Sequence, residues 1–195
     1  MTDRIRIRGE TILASHRFPL REFAIDYRRR DGQWQTQRRE VYDCGDAAAI
    51  LPYDPARGTV LLVRQFRLPT YLNGHPEPII EACAGMLDGS DPERRIRAEA
   101  EEELGFRLTR VWRLFSAYAT PGASTERLTY FLGQYSGDDR ISAAGGLVEE
   151  GEDIEVLELQ LDAAYAMIAR GEIVDAKTII LLQHLQLKGL PADQK

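Results

Sequence analysis

The sequence predicts an α+β fold, in which a small antiparallel β unit precedes a larger domain of mostly antiparallel strands and a few helices. Short alternating or apolar segments bounded by turn residues make up most of the chain. A segment from Pro92 to Gly105 and two segments near the C-terminus have helix start and stop signals instead. Strands and helices in this order are typical of a mixed fold rather than a helical bundle or an all-β sandwich.

Length, composition and charge restrict the classes of protein that are possible. The chain of 195 residues suits one main domain with a small addition, and 44% hydrophobic residues suffice for a core. No apolar run approaches the roughly 18 residues of a membrane span, and the N-terminus lacks a signal-peptide core, so a cytoplasmic protein without a membrane partner is expected. The net charge of −6 argues against a nucleic-acid partner. Cys44 and Cys83 form no CxxC motif and are expected to be buried free thiols.

The first 43 residues predict an antiparallel β unit. Apolar and other residues alternate over residues 23–27, and Asp31-Gly32 then gives a strong hairpin turn signal before a returning strand at residues 35–42. A unit of this size cannot bury a core alone. We therefore expect it to pack on the rest of the chain or on a second subunit.

The remaining residues, 44–195, predict the main domain. Its expected strands are residues 47–53, 59–66, 79–84, 111–119, 128–135 and 154–161; its helices are residues 92–104, 162–170 and 176–188; its longer loops are residues 68–78 and 136–151. Asp91 and Asp175 are the expected N-caps of two of the helices. Gly105 is the expected stop of the first helix.

The helix at residues 92–104 carries the most informative pattern of the chain. At 100° per residue, Ile96 and Leu104 lie on one apolar face, while Glu99 and Glu103 are neighbours at its edge with Glu102 alongside. Like charges beside a core are costly, and a divalent cation such as Mg²⁺ would remove the conflict. A solvated acidic helix face is the alternative, and the spacing alone leaves both interpretations open.

The ends of this segment add a second pattern. Gly85 follows a strand and opens a loop, and Gly105 closes the helix before Phe106. The segment resembles the Nudix box, G-x5-E-x7-R-E-U-x-E-E-x-G-U, where U is a bulky apolar residue. The matched positions are Gly85, Glu99, Glu102, Glu103, Gly105 and Phe106. The gap from Gly85 to Glu99 is one residue shorter than in the pattern. Ala98 occupies the position of the box arginine, so the neighbouring Arg97 is expected to compensate in packing the loop on the helix.

Further strings, in the same order along the chain, are similar to the GDP-mannose pyrophosphatase branch of the ADP-ribose-pyrophosphatase-like Nudix enzymes. They are Glu40-Val-Tyr-Asp, Val63-Arg-Gln-Phe-Arg67, Glu81-Ala-Cys-Ala-Gly85, Thr120-Pro-Gly, Glu152-Asp-Ile-Glu-Val-Leu-Glu158 and Asp175-Ala-Lys177-Thr. The resemblance implies a Nudix α/β/α sandwich with a mixed sheet over residues 44–195. It also implies that the β domain of residues 1–43 supports a homodimer and contacts substrate.

The same resemblance implies a set of site residues, carried over position by position. The metal ligands would be the backbone carbonyl of Ala84 and the carboxylates of Glu99, Glu103 and Glu152, with Mg²⁺ or Mn²⁺ as the ion. The catalytic residues would be Glu103 and Glu152, supported by Glu102. The substrate-binding residues would be Arg38, Arg39, Glu40, Arg67, Met86, Glu126 and Lys177.

The function implied is hydrolysis of a nucleotide sugar, with GDP-mannose giving GMP and mannose 1-phosphate. A pyrophosphate diester resists attack because its anionic oxygens repel a nucleophile, and metal ions with arginines reduce that charge. ADP-ribose or another nucleoside diphosphate sugar is the first alternative substrate. A non-catalytic nucleotide-binding Nudix module and a structural dimerisation protein are the alternatives from other classes.

Overall fold

The computed structural model of the protein describes residues 4–142, 145–146 and 153–191. The chain forms two compact units. The N-terminal unit consists of Met1–Asp46 with Tyr118–Arg127, and the larger unit consists of Ala47–Ala117 with Leu128–Lys195. No described helix is long and apolar enough to cross a membrane.

The described residues form ten strands and four α-helices, with five strands before the first helix and two helices at the end. The strands are β1 Ile5–Ser15, β2 Pro19–Arg28, β3 Trp34–Tyr42, β4 Ala47–Asp54, β5 Thr59–Gln65, β6 Ile79–Glu81, β7 Cys83–Met86, β8 Arg110–Tyr118, β9 Arg127–Gln134 and β10 Glu155–Gln160. The helices are α1 Leu68–Leu72, α2 Pro92–Glu99, α3 Leu161–Ala169 and α4 Ala176–Lys188, and a π-helical turn, Ala100–Leu104, continues α2.

The N-terminal unit contains a three-stranded antiparallel sheet in the order β1-β2-β3. The predicted hairpin is confirmed, since β2 and β3 meet at a turn in which Gly32 has a φ of 85°. Glycine adopts this conformation without the steric cost that a side chain brings. The strand β1 carries exposed isoleucines, with Ile7 at 64% and Ile12 at 59% exposure.

The larger unit has a mixed sheet in the order β10-β5-β4-β9-β8, in which β4 and β9 run parallel and β4–β5 and β5–β10 antiparallel. Alternate residues of β4 enter two separate cores: Ala49 and Leu51 pack with α3 and α4, while Ala48 and Ile50 pack with α2. Helices therefore cover both faces of the sheet. The predicted α/β/α arrangement with a mixed sheet is confirmed.

Two predicted elements differ from the structure. The expected loop at residues 68–78 begins with the short helix α1, because a proline near the first position suits a helix start. The expected strand at residues 79–84 is divided, because β6 pairs with β5 whereas β7 pairs with β4. This division matters for the site, since it directs Glu81 and Gly85 toward different neighbours.

Candidate active site in the larger unit

The carboxylate helix, which consists of α2 and the π-helical turn Ala100–Leu104, is fixed at both ends by the expected capping residues. The side chain of Asp91 accepts hydrogen bonds from the backbone N–H groups of Glu93 and Arg94, at 3.1 and 3.0 Å. At the other end, Gly105 has a φ of 75°, and its N–H donates to the carbonyl of Ala100. The five residues before Gly105, Ala100–Leu104, form a π-helical turn, a conformation that is often found at functional sites.

Glu99 and Glu103 point into the protein. Their exposures are 6% and 3%, whereas Glu101 and Glu102 are half-buried. Ile96 of the same segment is fully buried, and burial of this side chain stabilises the packing of the helix on the sheet by about 1.5–3 kcal/mol. A solvated acidic face is therefore wrong for Glu99 and Glu103, because ionisable groups rarely go inside without a compensating charge.

Gly85 lies directly against the carboxylate of Glu99. A Cβ atom built on Gly85 would come within 1.6 Å of Glu99 Oε1 and 2.2 Å of its Cδ. Any other residue at position 85 would thus occupy the space of this carboxylate. The absence of a side chain brings Glu99 next to the backbone that follows Ala84, the predicted carbonyl ligand.

Arg95 forms an ion pair with Glu99, and nothing in the sequence patterns above singled it out. Its guanidinium lies 2.5 Å from Glu99 Oε1 and 3.6 Å from Glu102 Oε2. The spacing of four residues on one helix was the signal that could have identified it. Arg97 is instead bound to Glu93 at 2.8 Å and donates to the carbonyl of Leu108, so it fastens the helix to the segment after it.

Cys83 lies beneath Glu103 in the core. Both cysteines are free and buried, as predicted. Burial raises the pKa of the Cys83 thiol well above its ordinary value, and the charge of Glu103 and a hydrogen bond to it act in the same direction. The thiol therefore stays protonated and donates to the Glu103 carboxylate.

A further buried carboxylate, Glu81, connects the two predicted substrate-binding cations of this unit. Arg67 donates to it through Nε at 3.0 Å and Nη2 at 2.9 Å, and Lys177 donates through Nζ at 3.1 Å. Glu81 is only 3% exposed. A bidentate arginine–carboxylate pair fixes the orientation of the guanidinium plane as well as its charge.

The pKa values of this cluster follow from its charges. Burial opposes ionisation of Glu81, but the hydrogen bonds from Arg67 and the charges of Lys177 and Arg67 outweigh it, so the pKa of Glu81 lies below its ordinary value. Burial likewise opposes protonation of Lys177, whose pKa is nevertheless raised by Glu81 and Asp175. Glu81, Arg67 and Lys177 are therefore charged at neutral pH.

The start of α4 is tied to this cluster through hydroxyl and carboxylate groups. Asp175 Oδ1 accepts from Lys177 Nζ at 3.0 Å, and Asp175 Oδ2 accepts from the backbone N–H of Thr178 at 2.9 Å. The Thr178 hydroxyl accepts from the backbone N–H of Ala82 at 2.6 Å. The expected N-cap at Asp175 is thus confirmed, and it also holds Lys177 in place.

The predicted site residues are divided between the two units. Arg67, Met86 and Lys177 belong to the larger unit, together with the carboxylate helix. The other predicted substrate contacts lie in the N-terminal unit: Arg38, Arg39 and Glu40 on β3, and Glu126 in the segment Tyr118–Arg127. Arg38 forms an ion pair with Glu22 at 2.5 Å.

Glu152 lies outside the described residues, as do Glu149 and Glu150. Within the described part of the chain, no group of three or more His, Cys, Asp or Glu side chains is arranged to hold a metal ion. Only two of the three predicted carboxylate ligands, Glu99 and Glu103, belong to the described residues, and Ala84 would contribute a backbone carbonyl, so this absence does not bear on the predicted set. That these four residues together hold a metal ion stays a prediction.

Glu81 is the main site residue that sequence reasoning missed. The segment Glu81-Ala-Cys-Ala-Gly85 is part of the family resemblance, but the sequence patterns predicted no role for Glu81 itself. A single acid within the apolar run of residues 79–84 was the available signal, since an unpaired carboxylate is costly there. Its partners lie 14 and 96 residues away in the chain, so the pairing itself became visible only in the fold.

Comparison with known proteins gives consistent matches along the chain. A family model described as the GDP-mannose pyrophosphatase NudK N-terminal domain matches residues 4–42. GDP-mannose pyrophosphatase of Pectobacterium atrosepticum is 48% identical over 190 residues, covering 97% of both chains. The Enterobacter sp. (strain 638) protein of the same name is 45% identical and covers 98% of this chain and 100% of its own. A crystal structure of an ADP compounds hydrolase superposes with a TM-score of 0.72 at 17% identity, covering 97% of this chain and 98% of its own, which supports the fold alone.

Proposed function

Because the chain belongs to the GDP-mannose pyrophosphatase family of Nudix hydrolases, we propose that it hydrolyses GDP-mannose to GMP and mannose 1-phosphate with Mg²⁺. The observation that carries this proposal is similarity over nearly the full length of the curated relatives, which includes both units of the chain. The arrangement of buried acids and oriented cations in the larger unit supports it.

The residues around Glu99 suit a hard divalent ion. Carboxylate and carbonyl oxygens are the donors that Mg²⁺ and Mn²⁺ prefer, and Mg²⁺ keeps several water ligands beside one or two carboxylates. The buried Glu99 and Glu103, the carbonyl of Ala84 beside Gly85, and Glu152 are the ligands that we propose. The chemistry that a bound ion supplies is neutralisation of the diphosphate and acidification of a water molecule.

Arg67 and Lys177 then have the role of holding the diphosphate. Glu81 occupies two of the three guanidinium nitrogens of Arg67, which orients the third, Nη1, for a substrate oxygen. Side-chain exposures of 44% for Arg67 and 17% for Lys177 leave Arg67 the more accessible of the two. We assign Met86, and Arg38, Arg39, Glu40 and Glu126 of the N-terminal unit, to the base and sugar.

Glu103 and Glu152 are the groups that we propose to hold the attacking water or accept its proton, with Glu102 supporting them. Burial acts to lower the pKa of Arg67, but the hydrogen bonds and charge of Glu81 raise it, and the charge of Glu103 adds to this rise, which couples Glu103 to the substrate-binding cations. The carboxylate helix and the cation cluster therefore act on each other electrostatically. Such coupling suits a substrate whose phosphates contact both.

We also propose a cytoplasmic homodimer. Exposed isoleucines on β1 support a second copy as the partner, since Ile5, Ile7 and Ile12 are 52%, 64% and 59% exposed. Light scattering after size exclusion tests this. A wild-type dimer that becomes monomeric on Ile7→Glu is expected, and a monomeric wild type would refute it.

The activity is tested by incubating the protein with Mg²⁺ and separate samples of GDP-mannose, ADP-ribose and UDP-glucose, followed by chromatography of the nucleotides. GMP from GDP-mannose, lost on addition of EDTA and restored by excess Mg²⁺, is the expected result. AMP from ADP-ribose as the main product would overturn the choice of substrate. No turnover of any substrate, with binding retained, would favour a non-catalytic Nudix module instead.

A further inference from the structure

The oxygen of Glu99 that faces Gly85 is also the oxygen that Arg95 holds. A Cβ on Gly85 would come within 1.6 Å of Glu99 Oε1, and Arg95 Nη2 lies 2.5 Å from the same atom. The guanidinium thus binds the carboxylate oxygen that lies against Gly85, next to the proposed carbonyl ligand Ala84. Arg95 lies within the segment that resembles the Nudix box, but it falls at a position where the pattern specifies no residue type.

Arg95 has the properties of an exchangeable partner. It comes from the same helix as Glu99, one turn earlier, and its side chain is 31% exposed whereas that of Glu99 is 8% exposed. Its other nitrogen, Nη1, is already 3.6 Å from Glu102 Oε2. A guanidinium on a long flexible stem can therefore leave Glu99 without unfolding the helix and still keep an acidic partner.

The electrostatics oppose simultaneous binding of two cations. A divalent ion that takes Glu99 Oε1 as a ligand would be placed close to the Arg95 guanidinium, and like charges at such distances repel strongly where burial lowers the dielectric constant. One of the two cations must therefore move. The metal is held by further ligands, so the movable cation is Arg95.

We propose that Arg95 is an internal counter-cation that competes with the divalent metal for Glu99 and moves toward Glu102 when the metal binds. This inference rests on the proposed metal site and goes beyond it, since it assigns a role in setting metal affinity to a residue outside the ligand set. Arg95 compensates the buried acids before loading. It also keeps the affinity for metal below the value that the carboxylates alone would give.

The test is a titration of Mn²⁺ against the full-length protein, with free Mn²⁺ measured by electron paramagnetic resonance. Arg95→Met keeps an unbranched apolar stem and removes the charge, and Arg95→Lys keeps the charge. Arg94→Met is the matched control, because Arg94 is exposed on the same helix and its loss makes the same change in net charge. Glu99→Gln tests the metal site independently.

Arg95→Met is expected to bind Mn²⁺ about fivefold more tightly than Arg94→Met, the equivalent of about 1 kcal/mol and typical of a partly exposed ion pair. Arg95→Lys should return toward wild type. The melting temperature of Arg95→Met should lie below that of wild type in EDTA, and this difference should shrink at saturating Mn²⁺.

Equal or weaker binding by Arg95→Met than by Arg94→Met would overturn the competition, and weaker binding would make Arg95 a support for the loaded site instead. These outcomes leave the proposed function intact if Glu99→Gln still abolishes Mn²⁺ binding. Unchanged Mn²⁺ binding in Glu99→Gln would refute the metal site itself and this inference with it.

Discussion

Gly85→Ala is the substitution whose effect follows most directly from the structure. The new Cβ would lie 1.6 Å from Glu99 Oε1, 2.2 Å from Cδ and 2.6 Å from Cγ. The whole end of the Glu99 side chain would have to move by roughly 2 Å to reach an ordinary nonbonded distance. The backbone at Gly85 does not have a positive φ, so alanine fits the strand itself and the strain falls on Glu99.

A displacement of this size is large compared with the tolerance of the proposed chemistry. Mg²⁺ requires oxygen ligands at 2.0–2.1 Å in nearly ideal octahedral geometry, so a carboxylate moved by about 2 Å is lost as a ligand. Misplacement of a reacting group by about 1 Å can already reduce a rate about 100-fold. We therefore expect kcat/KM of Gly85→Ala to fall by at least about 100-fold while the protein stays folded.

The assay is GMP release from GDP-mannose at several Mg²⁺ concentrations, with the melting temperature measured in parallel. Gly137→Ala is the control, because a Cβ there meets nothing within 4 Å and the residue also belongs to the larger unit. The control should retain wild-type kinetics. Wild-type activity in Gly85→Ala would show that Glu99 need not lie against this glycine during turnover, and the site as described would be wrong.

Three further substitutions test other parts of the site. Glu103→Gln should lower kcat at least about 100-fold with an unchanged circular dichroism spectrum, since metal ligation contributes several kcal/mol; retained activity would refute its role. Glu81→Gln should cost at most about 3 kcal/mol in urea unfolding at pH 7, because the partly buried cations Arg67 and Lys177 lose the charge of their buried partner. As the pKa of Glu81 is lowered from 4.5, that difference should persist above pH 4.5 and shrink below it, and a pH-independent difference would contradict it. Thr178→Val should cost about 1–3 kcal/mol, since the buried Ala82 N–H loses its acceptor; an unchanged urea midpoint would show the bond to be dispensable.

The elements that were predicted correctly are those whose signals are local. The turn at Asp31-Gly32, the N-caps Asp91 and Asp175, and the stop at Gly105 each depend on the chemistry of a few adjacent residues. The division of residues 79–84 into β6 and β7 depends instead on which strands lie beside them. No periodicity within the segment contains that information.

The same distinction applies to the site. The edge position of Glu99 and Glu103 follows from helical periodicity, and their burial confirms it. The ion pair of Arg95 was also within reach, because a spacing of four residues is a local signal. The π-helical turn was not, since its wider spacing departs from the regular 100° per residue on which the prediction was based.

Two buried carboxylates of the larger unit differ in how their charge is compensated, and this difference decides which of them can accept a metal. Glu81 is held by Arg67 and Lys177 from separate elements, and releasing it would leave two cations without their partner in a partly buried cluster. Glu99 is paired with Arg95 of its own helix, which is partly exposed and has Glu102 as a second partner. Exchange of the Arg95 partner at Glu99 therefore costs less than release of Glu81, so the acidic half of the site suits the metal and the Glu81 cluster suits the diphosphate.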